Sequence, residues 1–218
     1  MMFNFKAVIF DMDGLLLDTE RIAMETFVLT CHDFDFDPDM DVYRTCIGTN
    51  LQKTREILCR GYGPDFRYDD ISKIWGEKYI SAVSEKPIPL KTGARDLLEF
   101  FKRSHIKKAV ATSTEHDMAI QKLQRTGLRS YFDTVVGGNQ VKNGKPDPEI
   151  YLKVSELIAV KPGDCLVLED SDNGVLAAYK AGMHVIQIPD LKEPSPEISA
   201  LGHVILHSLN DVKDLLED

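Results

Sequence analysis

Four short stretches of the 218-residue chain carry residue types that could act together on a charged ligand. Asp11 and Asp13 flank Met12 just ahead of Gly14, at the end of the apolar run from Ala7 to Phe10. Thr112, Ser113 and Thr114 close "VATST", Lys145 lies in "GKPDPEIY", and Glu169 and Asp170 end "CLVLED". Two carboxylates at the end of a buried strand repel unless something cationic sits between them. Together the stretches offer a carboxylate able to act as a nucleophile, hydroxyls with free backbone N–H groups at a helix start, a lysine, and a distant acidic pair. Taken singly, each has a plainer reading: a turn or helix cap for the acids and hydroxyls, an exposed loop position for the lysine. Their order along the chain argues for one site.

The elements that must position these residues are legible from periodicity. Residues 7–10 read as a buried strand. From residue 88 onward, helices and short apolar strands alternate. Helices are expected over 93–104, 115–127, 147–159 and 173–182, strands over 107–112, 134–137, 165–170, 184–188 and 203–207, and a closing helix over 208–218. That alternation predicts an α/β fold with a doubly wound parallel sheet. Ligands then bind in the crevice outside the carboxyl ends of the strands, where all four stretches fall. Residues 17–86 break the rhythm, with helices over 18–32, 38–46, 49–61 and 68–85, no strand, and Pro87 and Pro89 at the exit. The expected organisation is a core of residues 1–16 plus 87–218 with a helical insert at 17–86. Within the insert, "DFDFDPD" (33–39) spaces its acids like a calcium loop, but Pro38 stands where the glycine is needed and Arg44 where the bidentate Glu is needed. It reads as a solvated acidic turn capping the next helix. Trp75 reads as insert packing, and His203 and His207, lying across a strand and its exit, do not read as a metal pair.

Bulk properties narrow the function. A hydrophobic content of 43% with 28% charged residues is ordinary for a soluble globular chain. No apolar run approaches bilayer length, and no leader-like segment opens the sequence. A formal net charge of −9 argues against nucleic acid. It leaves room for a small phosphate ester, because a divalent cation and a lysine reverse the field locally. The four cysteines, at 31, 46, 59 and 165, form no C-x-x-C and read as reduced thiols, so a cytoplasmic protein is expected.

"FDMDGLLLDTE", "VKNGKPDPEIYL" and "LEDSDNGVLAAYKAG", in this order, resemble the haloacid dehalogenase superfamily. The resemblance is to its sugar-phosphate phosphatase and β-phosphoglucomutase subgroup, and covers essentially the whole chain. It implies a Rossmann-like core with an α-helical cap inserted after the first motif, Mg²⁺ as cofactor, and a monomer. Phosphoryl transfer needs an in-line nucleophile, neutralised phosphoryl oxygens and an acid for the leaving group. Asp11 would be the nucleophile, forming an aspartyl-phosphate. Asp13 points to the other side of a strand-like backbone, or swings into the site if the chain turns at Gly14. The resemblance implies the latter, with its carboxyl as acid and then base and its backbone carbonyl on the metal. Thr112 and the backbone around Ser113 would donate to the phosphoryl oxygens at a helix N-terminus, and Lys145 would pair with the phosphate and hold Asp11 ionised. Glu169 and Asp170, with Asp11 and Asp13, would hold Mg²⁺.

A dehalogenase would not need Asp13, so phosphoryl chemistry is favoured. A mutase cap usually carries a basic residue near the "IGTN" turn and a histidine soon after "DTE". Here Asn50 and Leu51 follow Gly48 and Thr49, and Ile22 and Ala23 follow Arg21. Hydrolysis of a small phosphorylated metabolite, most simply a phosphorylated carbohydrate, is therefore expected, with mutase activity or a non-catalytic phosphate-binding role as alternatives. Arg21, Arg44, Lys53 and Arg55 are candidate cap contacts for a polar substrate. The hinges near 15–17 and 86–89 would let the cap close. A phosphorylation-dependent receiver module is about half this length and lacks the insert.

Overall fold

The computed structural model describes residues 5–49, 51–104 and 106–217. Six parallel strands form one sheet: β1 (Ala7–Phe10), β2 (Lys107–Ala111), β3 (Thr134–Val136), β4 (Cys165–Glu169), β5 (His184–Gln187) and β6 (Val204–Ile205). Their spatial order is β3-β2-β1-β4-β5-β6, so the chain winds outward from β1 on one side and returns to β4 on the other. The order reverses between β1 and β4, the position at which doubly wound sheets open a crevice. Register is tight there: Phe10 lies opposite both Val110 and Leu168.

The period of two along each strand divides the core. Val8, Phe10, Val110, Leu166 and Leu168 face one layer. There they meet α5 (Ala94–Lys102), α6 (His116–Arg125) and α10 (Leu209–Glu217) through Leu97, Phe101, Leu123 and Val212. Ala7, Ile9, Ala109, Cys165 and Val167 face the opposite layer, made by α7 (Glu149–Leu157), α8 (Asp172–Lys180) and the short α9 (Pro196–Ser199). Both faces are covered, which is why β1, and β4 as far as Leu168, are continuous apolar runs.

Between β1 and α5 the described residues form four helices and no strand of the sheet: α1 (Thr19–Asp33), α2 (Met40–Arg44), α3 (Leu51–Tyr62) and α4 (Tyr68–Glu85). They bury an apolar cluster of their own around Phe27, whose ring packs on Tyr43, Tyr62 and Trp75. Trp75 also donates its indole N–H to the Ala23 carbonyl at 2.9 Å, the packing role expected of it. The two chain crossings into this insert run side by side, with Asp18 N–H on Pro89 O and Lys91 N–H on Leu16 O. The acids of the stretch 33–39 are exposed while Phe34 and Phe36 pack against the Phe27 cluster, and Asp39 caps α2 by accepting from Asp41 N–H at 2.9 Å. No helix among the described residues is long and apolar enough to cross a membrane.

Two elements differ from expectation. The last strand is shorter than 203–207, because only Val204 and Ile205 pair with β5. The helix expected from residue 115 has no hydroxyl cap: His116 N–H donates instead to the Asn139 side chain at 2.9 Å, and Thr114 turns inward.

Candidate active site

β1 delivers Asp11 to the reversal point, where its N–H still donates to Leu168 O at 3.0 Å. Lys145, ahead of α7, sends its ammonium into the same place. It lies 2.6 Å from Asp11 Oδ1, 2.6 Å from Glu169 Oε1 and 3.0 Å from Ala111 O. β4 ends in Glu169, and Asp170 follows it. Asp11, Glu169 and Asp170 each offer an oxygen within 4.8 Å of the others, and all three are buried. With all three carboxylates ionised, the one ammonium leaves two negative charges, which one divalent cation would balance.

The two adjacent acids differ in kind. Glu169 is fully engaged: Oε1 receives Lys145 and the Tyr151 hydroxyl (3.0 Å), and Oε2 receives the Ser171 N–H (2.8 Å) and hydroxyl (3.0 Å). Despite burial, these partners hold its carboxyl below the usual range. Asp170 receives no side-chain hydrogen bond among the described residues. Burial, then Glu169 and Asp11, push its carboxyl well above the usual range. Burial likewise lifts Asp11 to about 7 against the pull of Lys145. Burial alone would lower Lys145, but Asp11 and Glu169 override it and keep the ammonium charged. The capping of α8 falls to Ser171, which accepts from Gly174 N–H at 3.1 Å and leaves both acids for the site.

Gly14 explains the form of the first motif. Its φ is +87°, and a side chain there would meet Asp170 Oδ2 at 2.3 Å. The turn brings Asp13 under the ends of β2 and α6. Asp13 Oδ1 accepts from Thr19 Oγ1 (2.6 Å) and Lys122 Nζ (2.7 Å), and Oδ2 from Thr114 Oγ1 (2.6 Å) and Thr112 Oγ1 (3.3 Å). Against its burial, Lys122 and these hydroxyls hold the Asp13 carboxyl below the usual range.

Of the residues expected from sequence, the structure brings together Asp11, Lys145, Glu169 and Asp170, with Asp13 and Thr112 forming the adjoining group. The Ser113 side chain is exposed and takes part in no described hydrogen bond. Arg21, Arg44, Lys53 and Arg55 are ion-paired on the insert surface to Asp18, Asp41, Glu56 and Asp69. Asn50 and the Leu51 side chain lie outside the described residues. Sequence reading missed Thr19, Lys122 and Tyr151, and named Thr114 in its stretch without giving it a role. It also missed Glu20, which packs beside Gly14 and is pushed up to about 7 by burial and by Asp13. The signals were faint: Thr19 and Glu20 sit inside the quoted "DTE", and Lys122 shares a helix face with Ala119 and Leu123.

A cavity of about 160 Å³ opens on Asp170. The loop Ile47–Gly48–Thr49 of the insert closes it on one side, and Asp190 and Lys192 of the loop after β5 on the other. Asn173 of α8 donates to Gly48 O, tying insert to core at its rim.

The profile of the haloacid dehalogenase-like hydrolases matches residues 8–188. The chain belongs to this family. A phosphorylated carbohydrates phosphatase of Thermotoga maritima is 38% identical over 212 residues, 97% of this chain and 90% of that protein. The hydrolase is also similar to the solved structure of CbbY from Rhodobacter sphaeroides in complex with phosphate. That match has 29% identity and a TM-score of 0.77, covering 95% of this chain and 96% of CbbY. A second CbbY structure, of a mutant in complex with xylulose-(1,5)bisphosphate, is 27% identical with a TM-score of 0.73, over 94% and 95% of the two chains.

Proposed function

We propose that the hydrolase is a phosphatase that cleaves a small phosphorylated carbohydrate through an aspartyl-phosphate on Asp11. The observation that carries this reading is the pairing of a buried, partly unsatisfied acidic cluster with a single lysine at the sheet's reversal point. The activity named for the Thermotoga maritima relative, and the phosphorylated ligand named for the CbbY structure, support the substrate class.

The donor set suits Mg²⁺, a hard cation that takes oxygen ligands. The Asp11 oxygen not used by Lys145, and the Asp170 carboxylate, are the cluster's groups without a donor among the described residues. They would hold the ion with the Asp13 carbonyl, while Glu169, its oxygens already engaged, anchors Lys145. Bound there, Mg²⁺ supplies the positive charge that lets Asp11 ionise and that neutralises phosphoryl oxygens. The chain's own groups do the rest. Asp11 attacks phosphorus and the ester oxygen leaves, taking a proton from Asp13. The Asp13 carboxyl takes that proton up as the negative charge of the phosphate enters beside it and offsets the pull of Lys122. Lys145, Thr112 and the backbone at Ser113 stabilise the transferring group's oxygens. Asp13, now a carboxylate, takes a proton from the water that attacks the aspartyl-phosphate, which releases inorganic phosphate and restores Asp11. Residues 17–86 act as a cap over this crevice, with the paired crossings at 16–18 and 89–91 as its hinge.

The test is inorganic phosphate release from a panel of hexose phosphates, β-glucose 1-phosphate, 2-phosphoglycolate and nucleotides, with Mg²⁺ and with chelator. Mg²⁺-dependent release from sugar phosphates, abolished in Asp11→Asn with the fold intact, is the expected result. Retained activity in Asp11→Asn would overturn the nucleophile. Conversion of β-glucose 1-phosphate to the 6-phosphate without release would replace hydrolysis with a mutase reaction.

A further inference from the structure

Lys122 is a buried lysine that the chemistry above does not use. It sits on the inner face of α6 between Ala119 and Leu123, only 2% exposed. An apolar residue would fill that place without the cost of burying an ammonium. Its charge is answered at one point, 2.7 Å away, by Asp13 Oδ1. Its other described partner comes from the insert: the Tyr79 hydroxyl of α4 receives a hydrogen bond from the same ammonium at 2.8 Å. Asp13 is thus held by Thr112 and Thr114 of the core and by two groups that answer to the insert, Thr19 at the start of α1 and Tyr79 acting through Lys122.

We infer that Lys122 is a positioning residue for Asp13, and that Tyr79 ties its position to the helical cap. Lys122 carries no proton to the substrate. It fixes where the Asp13 carboxyl sits relative to Thr114 and Thr19, and α4 fixes where Lys122 can reach. Removing the ammonium leaves Asp13 with hydroxyl donors alone, which hold it less firmly. Removing the Tyr79 hydroxyl leaves the ammonium in place but released from the cap. This inference deepens the phosphatase reading and rests on Asp13 serving the leaving group.

The readout is leaving-group selectivity, which a merely structural role would not move. A sugar alkoxide needs a proton to depart, whereas the acetate of acetyl phosphate does not. kcat/KM reports steps up to departure of that group, so it isolates the acid from the later attack of water. For Lys122→Met, kcat/KM on the best hexose phosphate should fall about 100-fold, the scale of general acid catalysis, while that on acetyl phosphate changes by no more than about threefold. Tyr79→Phe removes one oxygen and should give a selective loss of about fivefold, the scale of one neutral hydrogen bond. If Lys122→Met does not fold, as judged by circular dichroism, Tyr79→Phe decides. Asp13→Asn serves as the reference for a fully selective loss. Equal losses on both substrates, or no loss, in the Lys122 and Tyr79 variants beside a selective loss in Asp13→Asn would overturn the inference and leave the phosphatase intact. Wild-type protein that hydrolyses neither substrate would overturn both.

Discussion

Glu169 and Asp170 are neighbouring buried acids, yet neutralising them should have opposite effects on stability. Glu169 accepts four hydrogen bonds, two at each oxygen. Glutamine at 169 keeps the size but offers one carbonyl and one amide NH₂. With the carbonyl toward Lys145, the NH₂ faces the Ser171 N–H; reversed, it faces the Lys145 ammonium. Either way a donor meets a donor. Losing a hydrogen bond to a charged acceptor costs about 1.5–3 kcal/mol, and Lys145 loses a buried ion-pair partner as well. Lessened repulsion on Asp11 and Asp170 offsets part of this. A net loss of about 3 kcal/mol corresponds to a fall of roughly 6–12 °C in unfolding midpoint for a chain of this size. Asp170→Asn removes a carboxyl that no described residue donates to and whose ionised form burial, Glu169 and Asp11 disfavour. In chelator its midpoint should equal or exceed the wild type's, while the rise on adding Mg²⁺ disappears. Thermal unfolding followed by circular dichroism, with Mg²⁺ and with chelator, reads both. Equal destabilisation of the two variants in chelator would refute the division of labour between these acids.

Two further outcomes follow from the same cluster. Without a cation, burial holds Asp11 at about 7, so below that pH it is protonated and must give up a proton to bind Mg²⁺. Apparent Mg²⁺ affinity measured by calorimetry should therefore fall as pH drops from about 8 to 6, by about tenfold per pH unit from Asp11 with Asp170 steepening it further, and a flat profile would show that neither is a ligand. The metal-free fold binds more protons at Asp11 than the unfolded chain between about 4 and 7, so this group makes it less stable as pH rises through that window. Gly174→Ala places a methyl 1.8 Å from Glu169 Oε1 in the first turn of α8. Displacing that carboxylate should lower stability by about 1–3 kcal/mol and cut phosphate release along with it; wild-type kcat and midpoint would show that α8 can shift at no cost.

Much of this architecture is local in origin. An apolar run of four residues ending at acids and a glycine specifies a buried strand and its turn, and helical periodicity specifies the insert, so the order of elements could be read before any contact was known. Asp11, Lys145, Glu169 and Asp170 were legible for the same reason: in a parallel sheet, strand ends share an edge, and position along the chain becomes position in the crevice. What the sequence left open depends on which surfaces meet. "D-x-D" does not say which way Asp13 turns, since that follows from a positive φ at Gly14 and from donors 6 to 109 residues away. A glutamate beside an aspartate does not say which is engaged, because Tyr151 and Ser171 choose Glu169. Lys122 looks like one more charge on an amphipathic helix until α4 brings Tyr79 over it. Types and spacing along the chain set the chemistry available. The packing of helices from opposite ends of the chain decides which charges are answered by protein and which are left for a ligand, because burial makes every unanswered charge costly.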